Sequence, residues 1–559
     1  MGRAFALAGL LAMAAAQAYA LDTTMVQLIE RYSADLNSLR RTWPHDLLPA
    51  TTARWRAYYT EQQGLVAKID PSKLDRDGKL DHLLMANELE KNLRDLDLDR
   101  GRWDEALHHF PLLSDLTQLD EDQLRAKKVV ASRAADLLAT VPVACDKALA
   151  AMEKSKPTAG VASRVVRAVN RAESAMQHWY GFYTGYDPTF TWWCQEPYKA
   201  AKEALDKFKN NVREKILKLP ADDRESLVGD PVGRDALMSD LAAERIPYTP
   251  EELVAIGERE LAWCHAEMTK AAREMGCKDW KEAIEKVKQM HVDPGDQPAM
   301  IRELAQEAVE FLEARDLVTI PALAKEDWRM EMMSAEAQLK NPFFLGGESI
   351  IVSFPTDKMA HEAKLMSLRG NNRYFSRATV QHELIPGHHL QGFMQERYHP
   401  YRYPFGTPFW VEGWALYWEL RLWDLGFASK PEEKMGMLFW RAHRCARIVF
   451  SLKYHLGQMT PEQCVDMLVD QVGHERRNAE AEVRRSFAGD YPPLYQLAYL
   501  IGGLQIRALH NELVPSKMTE KQFHDTVLQT GSIPIAYLRA YLHKEPMPKA
   551  VLSDWRFAG

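Results

Sequence analysis

Along most of the 559 residues, apolar side chains recur every three or four positions, and no other feature constrains the fold class as tightly. Stretches around 122–155, 160–180, 196–218 and 295–315 mix such residues with charges, as helices do when one face is packed and the other solvated. Two helix starts are spelled out. Thr249-Pro250-Glu251-Glu252 sets a cap, a first-turn proline and a capping-box glutamate ahead of Leu253. Thr460-Pro461-Glu462-Gln463 repeats that chemistry before a helix expected to stop near Gly473. There is no internal repeat and no low-complexity tract. The expected fold is mostly α with a small β element.

That β element is the segment from Phe343 to Phe354, where Gly346-Gly347 precedes Ser349-Ile350-Ile351-Val352-Ser353-Phe354 and Pro355 ends the run. A short strand in a helical protein needs a partner. Either it forms an ordinary hairpin over the core, or its edge receives an extended substrate. Pro321 and Pro342 bracket the approach to it, so a boundary is expected near 320–340, with a helical lobe over 21–335 and a second lobe over 336–559.

The first twenty residues read as a signal peptide rather than as part of the fold. Arg3 leads into an apolar stretch from Ala4 to Ala16, and Ala18-Tyr19-Ala20 has the small-x-small pattern of a cleavage site. No cysteine stands there to take a lipid, and no later stretch is apolar enough to span a bilayer, so no stable membrane insertion is expected. Loss of Arg3 takes the formal charge from −7 to −8, spread over a long chain without a basic stripe, which argues against a nucleic-acid partner. The expected destination is periplasmic or secreted. Six cysteines (Cys145, Cys194, Cys264, Cys277, Cys445, Cys464) show no CxxC spacing and serve either as buried thiols or as disulfides of unassigned pairing.

The stretch that carries chemistry is Thr379-Val380-Gln381-His382-Glu383-Leu384-Ile385-Pro386-Gly387-His388-His389. Zinc peptidases commonly hold the ion with histidines four apart on one helical face. Here His388 is six residues from His382, about 240° around an ideal helix, and His389 is on the right face but about 10 Å along the axis. The motif therefore works only if the helix breaks between its ligands. Pro386 lacks the amide that would bond back to His382, and Gly387 tolerates unusual dihedrals, so a two-residue bulge is expected there. The competing reading is a helix that simply ends at Pro-Gly, its histidines lining the end without metal. His361-Glu362 and His474-Glu475 are the same dipeptide without neighbours and read as surface or helix residues.

A third ligand is available in Phe409-Trp410-Val411-Glu412-Gly413-Trp414-Ala415-Leu416-Tyr417-Trp418-Glu419. A carboxylate inside so apolar a helix is costly unless it is paired or bound to metal, which marks Glu412. Glu419, two turns on, either orients a ligand histidine or makes a surface salt bridge. Trp410, Trp414 and Trp418 recur every four residues, as core packing does.

His382-Glu383-x-x-Pro386-Gly387-His388 with Gln391, followed by Glu412-Gly413-Trp414-Ala415-Leu416-Tyr417 with Glu419, resembles the bacterial domain of unknown function 885 family, which is grouped with the gluzincin metallopeptidases. The resemblance implies a mainly helical fold with a deep cleft and one zinc per chain held by His382, His388 and Glu412. It also implies Glu383 as catalytic base, and it favours His388 over His389. Arg447 and His455 match the ends of a further family segment, within which Ser451 and Lys453 replace its usual aspartate and glycine. Glu482-Val483-Arg484-Arg485 matches another, with Ser486 where tyrosine is common. Pro493 and Tyr499 match a third, with Tyr495 in place of glutamine.

The implied activity is hydrolysis of peptide bonds by a metal-activated water, with Glu383 moving the proton. Tyr499 and then His455 are the expected donors to the developing oxyanion. The alternatives are a zinc amidase or esterase acting on a non-peptide small molecule, and a silent scaffold that keeps zinc for stability. The presence of Glu383 argues against the scaffold, because a structural site needs no general base.

Overall fold

The computed structural model describes residues 25–219, 227–338, 346–347, 349–487, 491–543 and 554–558; the leader and residues 343–345 and 348 of the strand segment lie outside them. The structure is 74% helical, with two short parallel strands, so the fold is mostly α. Both capping boxes form. Thr249 and Glu252 bond each other's backbone at the start of Pro250–Glu274, and Thr460 and Gln463 do so at the start of Pro461–Val472, which ends at Gly473 with φ +89°. The stretch expected over 122–155 is interrupted: one helix ends at Leu124, Ala126 takes φ +54°, and the next runs Ala131–Ser155.

Two large cores lie beneath these helices. One has its buried residues between 106 and 212, around Trp179, Phe190 and Phe208. The other collects side chains from Met25 to Phe557, so residues on both sides of position 335 share it. At its centre the Pro408–Asp424 helix buries Trp410, Trp414 and Trp418 completely, as their spacing required. That helix packs against Tyr495–Leu513 at very short range. A Cβ on Gly413 would lie 2.6 Å from the carbonyl carbon of Gly502, and one on Gly502 would lie 1.9 Å from the carbonyl oxygen of Phe409. Only glycine fits where the two backbones meet. The close approach brings the first turns of Tyr495–Leu513 alongside Glu412.

The strand segment forms β2 (Ser349–Val352), and its partner is β1 (Arg329–Met332) in parallel register, Arg329 opposite Ser349 and Met332 opposite Val352. It is thus not an arm of a hairpin. Ile350 and Val352 turn inward onto Val380, Leu384 and Ile301, which seats the sheet on the helix that carries His382. All six cysteines are free thiols, and five are buried.

Candidate metal centre

The helix Arg373–Glu383 starts at Asn372, whose side chain accepts from the amides of Tyr374 and Phe375, and it delivers His382 and Glu383 in its last turn. Leu384 leaves helical geometry at φ −105°, ψ −108°, the Ile385–Pro386 peptide is cis, and a new helix begins at His388 and runs to Gln395. Across the break the Gly387 amide reaches back six residues to the Gln381 carbonyl at 3.1 Å, and the Leu390 amide bonds the Leu384 carbonyl at 3.3 Å. A Cβ at Gly387 would fall 1.7 Å from the His382 carbonyl oxygen. The indole of Trp414 pins the turn by donating to the Pro386 carbonyl at 2.8 Å. So the expected break is present, and it carries His388 back beside His382, their rings 4.9 Å apart and perpendicular.

Glu412 completes the group. Its Oε2 lies 3.2 Å from Nε2 of His388 and 3.6 Å from Nε2 of His382, and the three ligand atoms sit within 4.8 Å of one another. The other imidazole nitrogens are engaged. Nδ1 of His382 stands 2.7 Å from Oε1 of Glu419, and Nδ1 of His388 stands 3.2 Å from Oε1 of Gln391, whose amide nitrogen donates to the Val411 carbonyl. With Nδ1 donating, each ring turns a bare Nε2 lone pair inward. Two such nitrogens and a carboxylate oxygen then converge, and Glu412 Oε2 is buried without a hydrogen-bond partner. A cation fits this donor set, and the mixture of two imidazoles and one carboxylate suits zinc.

The electrostatics carry the same message. Burial works against a charge on His388, yet Glu412, with Glu383 and the Gln391 carbonyl, outweighs it and pushes the imidazole up to about 9. His382 is likewise buried, and Glu412 and Glu419 raise it. Burial disfavours the Glu412 carboxylate, but the two histidines hold it well below the usual carboxylate range. Glu383 is shifted the other way: burial raises its carboxyl, and its histidine neighbours only partly offset this. Gly346 packs directly on it, since a Cβ there would lie 2.3 Å from Glu383 Oε2, so the chain entering β2 runs over the carboxylate.

Of the remaining expected residues, Tyr499 belongs to this neighbourhood and His455 does not. The Tyr499 ring stacks on His382 at 6.1 Å, and its hydroxyl is 3.5 Å from Nη2 of Arg485. His455 accepts from the Val232 amide and packs on Tyr454 and Phe487. It ends the helix Pro431–His455, roughly 16 Å along the axis from Arg444, which packs on Tyr499, so the oxyanion role expected of it has no support here. His389 turns away to the carbonyls of Ala324 and Gly347. The spacing did not flag Tyr495, whose hydroxyl donates to Oε1 of Glu412. The available signal was its position one turn before Tyr499.

The family described as bacterial protein of unknown function (DUF885) matches the chain over residues 35–542. Solved structures share the fold, two of them described as lipoproteins. A candidate lipoprotein of unknown function from Shewanella oneidensis aligns over 93% of this chain and 100% of its own, with TM-score 0.69 and 18% identity. Another candidate lipoprotein, from Colwellia psychrerythraea, aligns over 93% of this chain and 98% of its own, with TM-score 0.59 and 17% identity. No curated protein matches the chain.

Proposed function

The chain belongs to the DUF885 family, and we propose that it is a zinc-dependent peptidase of the gluzincin type, acting on oligopeptides. The observation that carries this reading is the convergence of His382 Nε2, His388 Nε2 and Glu412 Oε2 within 4.8 Å, beside a buried glutamate that makes no ligand contact of its own. His382, His388 and Glu412 would hold the ion, which when bound supplies Lewis acidity toward a water and a substrate carbonyl.

The chain's own groups do the rest. Glu419 and Gln391 fix the two imidazoles so that Nε2 and not Nδ1 faces inward. Tyr495 holds the second oxygen of Glu412 and so orients the first. Glu383 takes the proton of the attacking water and returns it to the leaving amine; its raised affinity for protons suits a group that must do both near neutral pH. Tyr499, with a phenol kept protonated by burial and by Glu412, offers its O–H to the oxygen on which charge develops.

Metal analysis of the purified chain, paired with mass spectrometry of a mixed peptide library before and after chelation, tests the proposal. About one zinc per chain, with cleavage lost on chelation and restored by zinc, is expected. Glu383→Gln should keep the metal and lose at least roughly a hundredfold in kcat; full activity in that variant would end the reading. Among the described residues no helix is long and apolar enough to cross a membrane. The lipoprotein descriptions of the two similar structures support a site of action outside the cytoplasm.

A further inference from the structure

Beside the metal centre three guanidinium groups cluster around one tyrosine ring, and only one of them has a close carboxylate. Arg444 and Arg447, on the helix Pro431–His455, lie against the Tyr499 ring with their guanidinium carbons 4.5 and 4.6 Å from its centroid. Arg485, from the helix Arg476–Phe487, reaches the Tyr499 hydroxyl and lies over Tyr491. Glu482 is fully buried and engages Arg447 at 2.7 Å. Glu419 is already committed to His382, and Arg444 comes only within 3.9 Å of it. Nε of Arg444, Nη1 of Arg447 and Nε of Arg485 are buried without a hydrogen-bond partner.

Arg444 is the informative one. It is 5% exposed, its Nε is buried without a hydrogen-bond partner, and Glu419 lies 3.9 Å from its Nη2. A buried cation held only by a loose ion pair is retained at a cost in stability unless something else pairs with it. Ordinary architecture explains Arg447, which has Glu482. It does not explain Arg444, packed between Trp440 and Tyr499 one aromatic ring away from His382.

We infer that Arg444, with Arg447 and Arg485, forms a subsite for a substrate carboxylate, so that the preferred peptides carry one within about two residues of the bond that is cut. The planar fork of a guanidinium matches a carboxylate, and this one is fixed by the rings around it. The carboxylate comes either from a free C-terminus, which would make the protein trim short C-terminal pieces, or from an aspartate or glutamate side chain. The position of the cut rests on the peptidase reading; the anion site does not.

Titration calorimetry on the metal-stripped full chain, which separates binding from turnover, distinguishes these outcomes. The probes are N-acetyl-trialanine as free acid and as C-terminal amide, and an N-acetyl-Ala-Glu-Ala amide. Tighter binding of the free acid than of its amide by roughly tenfold or more, lost in Arg444→Gln and partly kept in Arg444→Lys, supports the subsite and assigns it to the terminus. The same advantage for the glutamate amide over the alanine amide supports it and assigns it to a side chain. Indifference of the unmodified chain to either carboxylate overturns the inference, whether or not the variants fold. So does an Arg444→Gln protein that melts like the parent and keeps the preference. In the metal-loaded protein, cleavage blind to carboxylates sinks this inference and spares the peptidase reading. Carboxylate-dependent binding without cleavage of any peptide does the reverse.

Discussion

His382 hands its Nδ1 proton toward Glu419 across 2.7 Å, and both side chains are almost wholly buried. This excludes a surface salt bridge as the reason for Glu419. The pair fixes one imidazole orientation and makes its Nε2 a better donor. Glu419→Gln keeps the shape and replaces a charge-assisted hydrogen bond with a neutral one. Zinc affinity, read by competition with a chromophoric chelator, should fall roughly 10- to 100-fold, with little change in melting temperature of the metal-free chain. An unchanged zinc affinity would remove Glu419 from the site.

Gly387 is the second point of leverage. The Cβ of an alanine there would collide with the His382 carbonyl oxygen at 1.7 Å, and no flexible side chain is available to yield. Gly387→Ala should destabilise the chain by about 3 kcal/mol or, if the turn opens instead, leave a folded protein without stoichiometric zinc. Urea unfolding and metal analysis on the same sample tell these apart. Gly392, on the next helix with open space around it, is the control and should tolerate alanine.

The helix carrying Glu412 is tied to a distant part of the chain by a group that titrates. Thr407 caps this helix by accepting from the Phe409 amide, and its hydroxyl lies 2.6 Å from Oε1 of Glu244; Oε2 of Glu244 is buried without a partner. Burial raises the Glu244 carboxyl to about 7, with Thr407 and Lys91 opposing. A carboxyl that holds its proton more tightly when folded favours the fold at low pH. Its contribution is complete below the unfolded value near 4.5 and is lost as pH rises to about 7. Unfolding free energy should therefore fall by on the order of 2 kcal/mol more between pH 5 and 7.5 in the parent than in Glu244→Gln. Parallel pH profiles in the two proteins would contradict this.

What could be read from the sequence was whatever depended on local spacing. The two histidines, the break between them and the carboxylate in an apolar helix follow from residue types within a few turns, and so do the capping boxes at Thr249 and Thr460. Contacts between distant segments were another matter. β1 was invisible because Arg329–Met332 is four residues long, charged and largely exposed, and it acquires meaning only through β2. Arg441 and Arg444 carry no motif of their own, and only the fold shows that they are buried with Arg447. His455 was placed by resemblance, and helical rise alone carries it away from Tyr499. Tyr495 read as a departure from a family pattern, because its bond to Glu412 joins residues 83 apart in sequence.

Tyr495 and Tyr499 are one turn apart on a single helix, their rings 5.7 Å apart, and the reading assigns them separable tasks. Tyr495 donates to the carboxylate oxygen of Glu412 that does not face the histidines, so its work is done before any substrate arrives. The Tyr499 hydroxyl accepts at long range from Arg485, 3.5 Å away, a contact that leaves its proton available to a substrate oxygen. Removing each hydroxyl should therefore move different quantities. Tyr495→Phe is expected to weaken zinc binding roughly tenfold and, at saturating zinc, to leave kcat within a fewfold of the parent. Tyr499→Phe should leave zinc affinity and KM nearly unchanged and lower kcat roughly a hundredfold, the loss expected for one donor to a developing oxyanion. Zinc titration and steady-state kinetics on the two variants check both halves. If Tyr499→Phe loses metal and Tyr495→Phe loses kcat, the roles are reversed. If both variants lose only stability, the two rings are packing and the donor must be sought among the arginines that surround them.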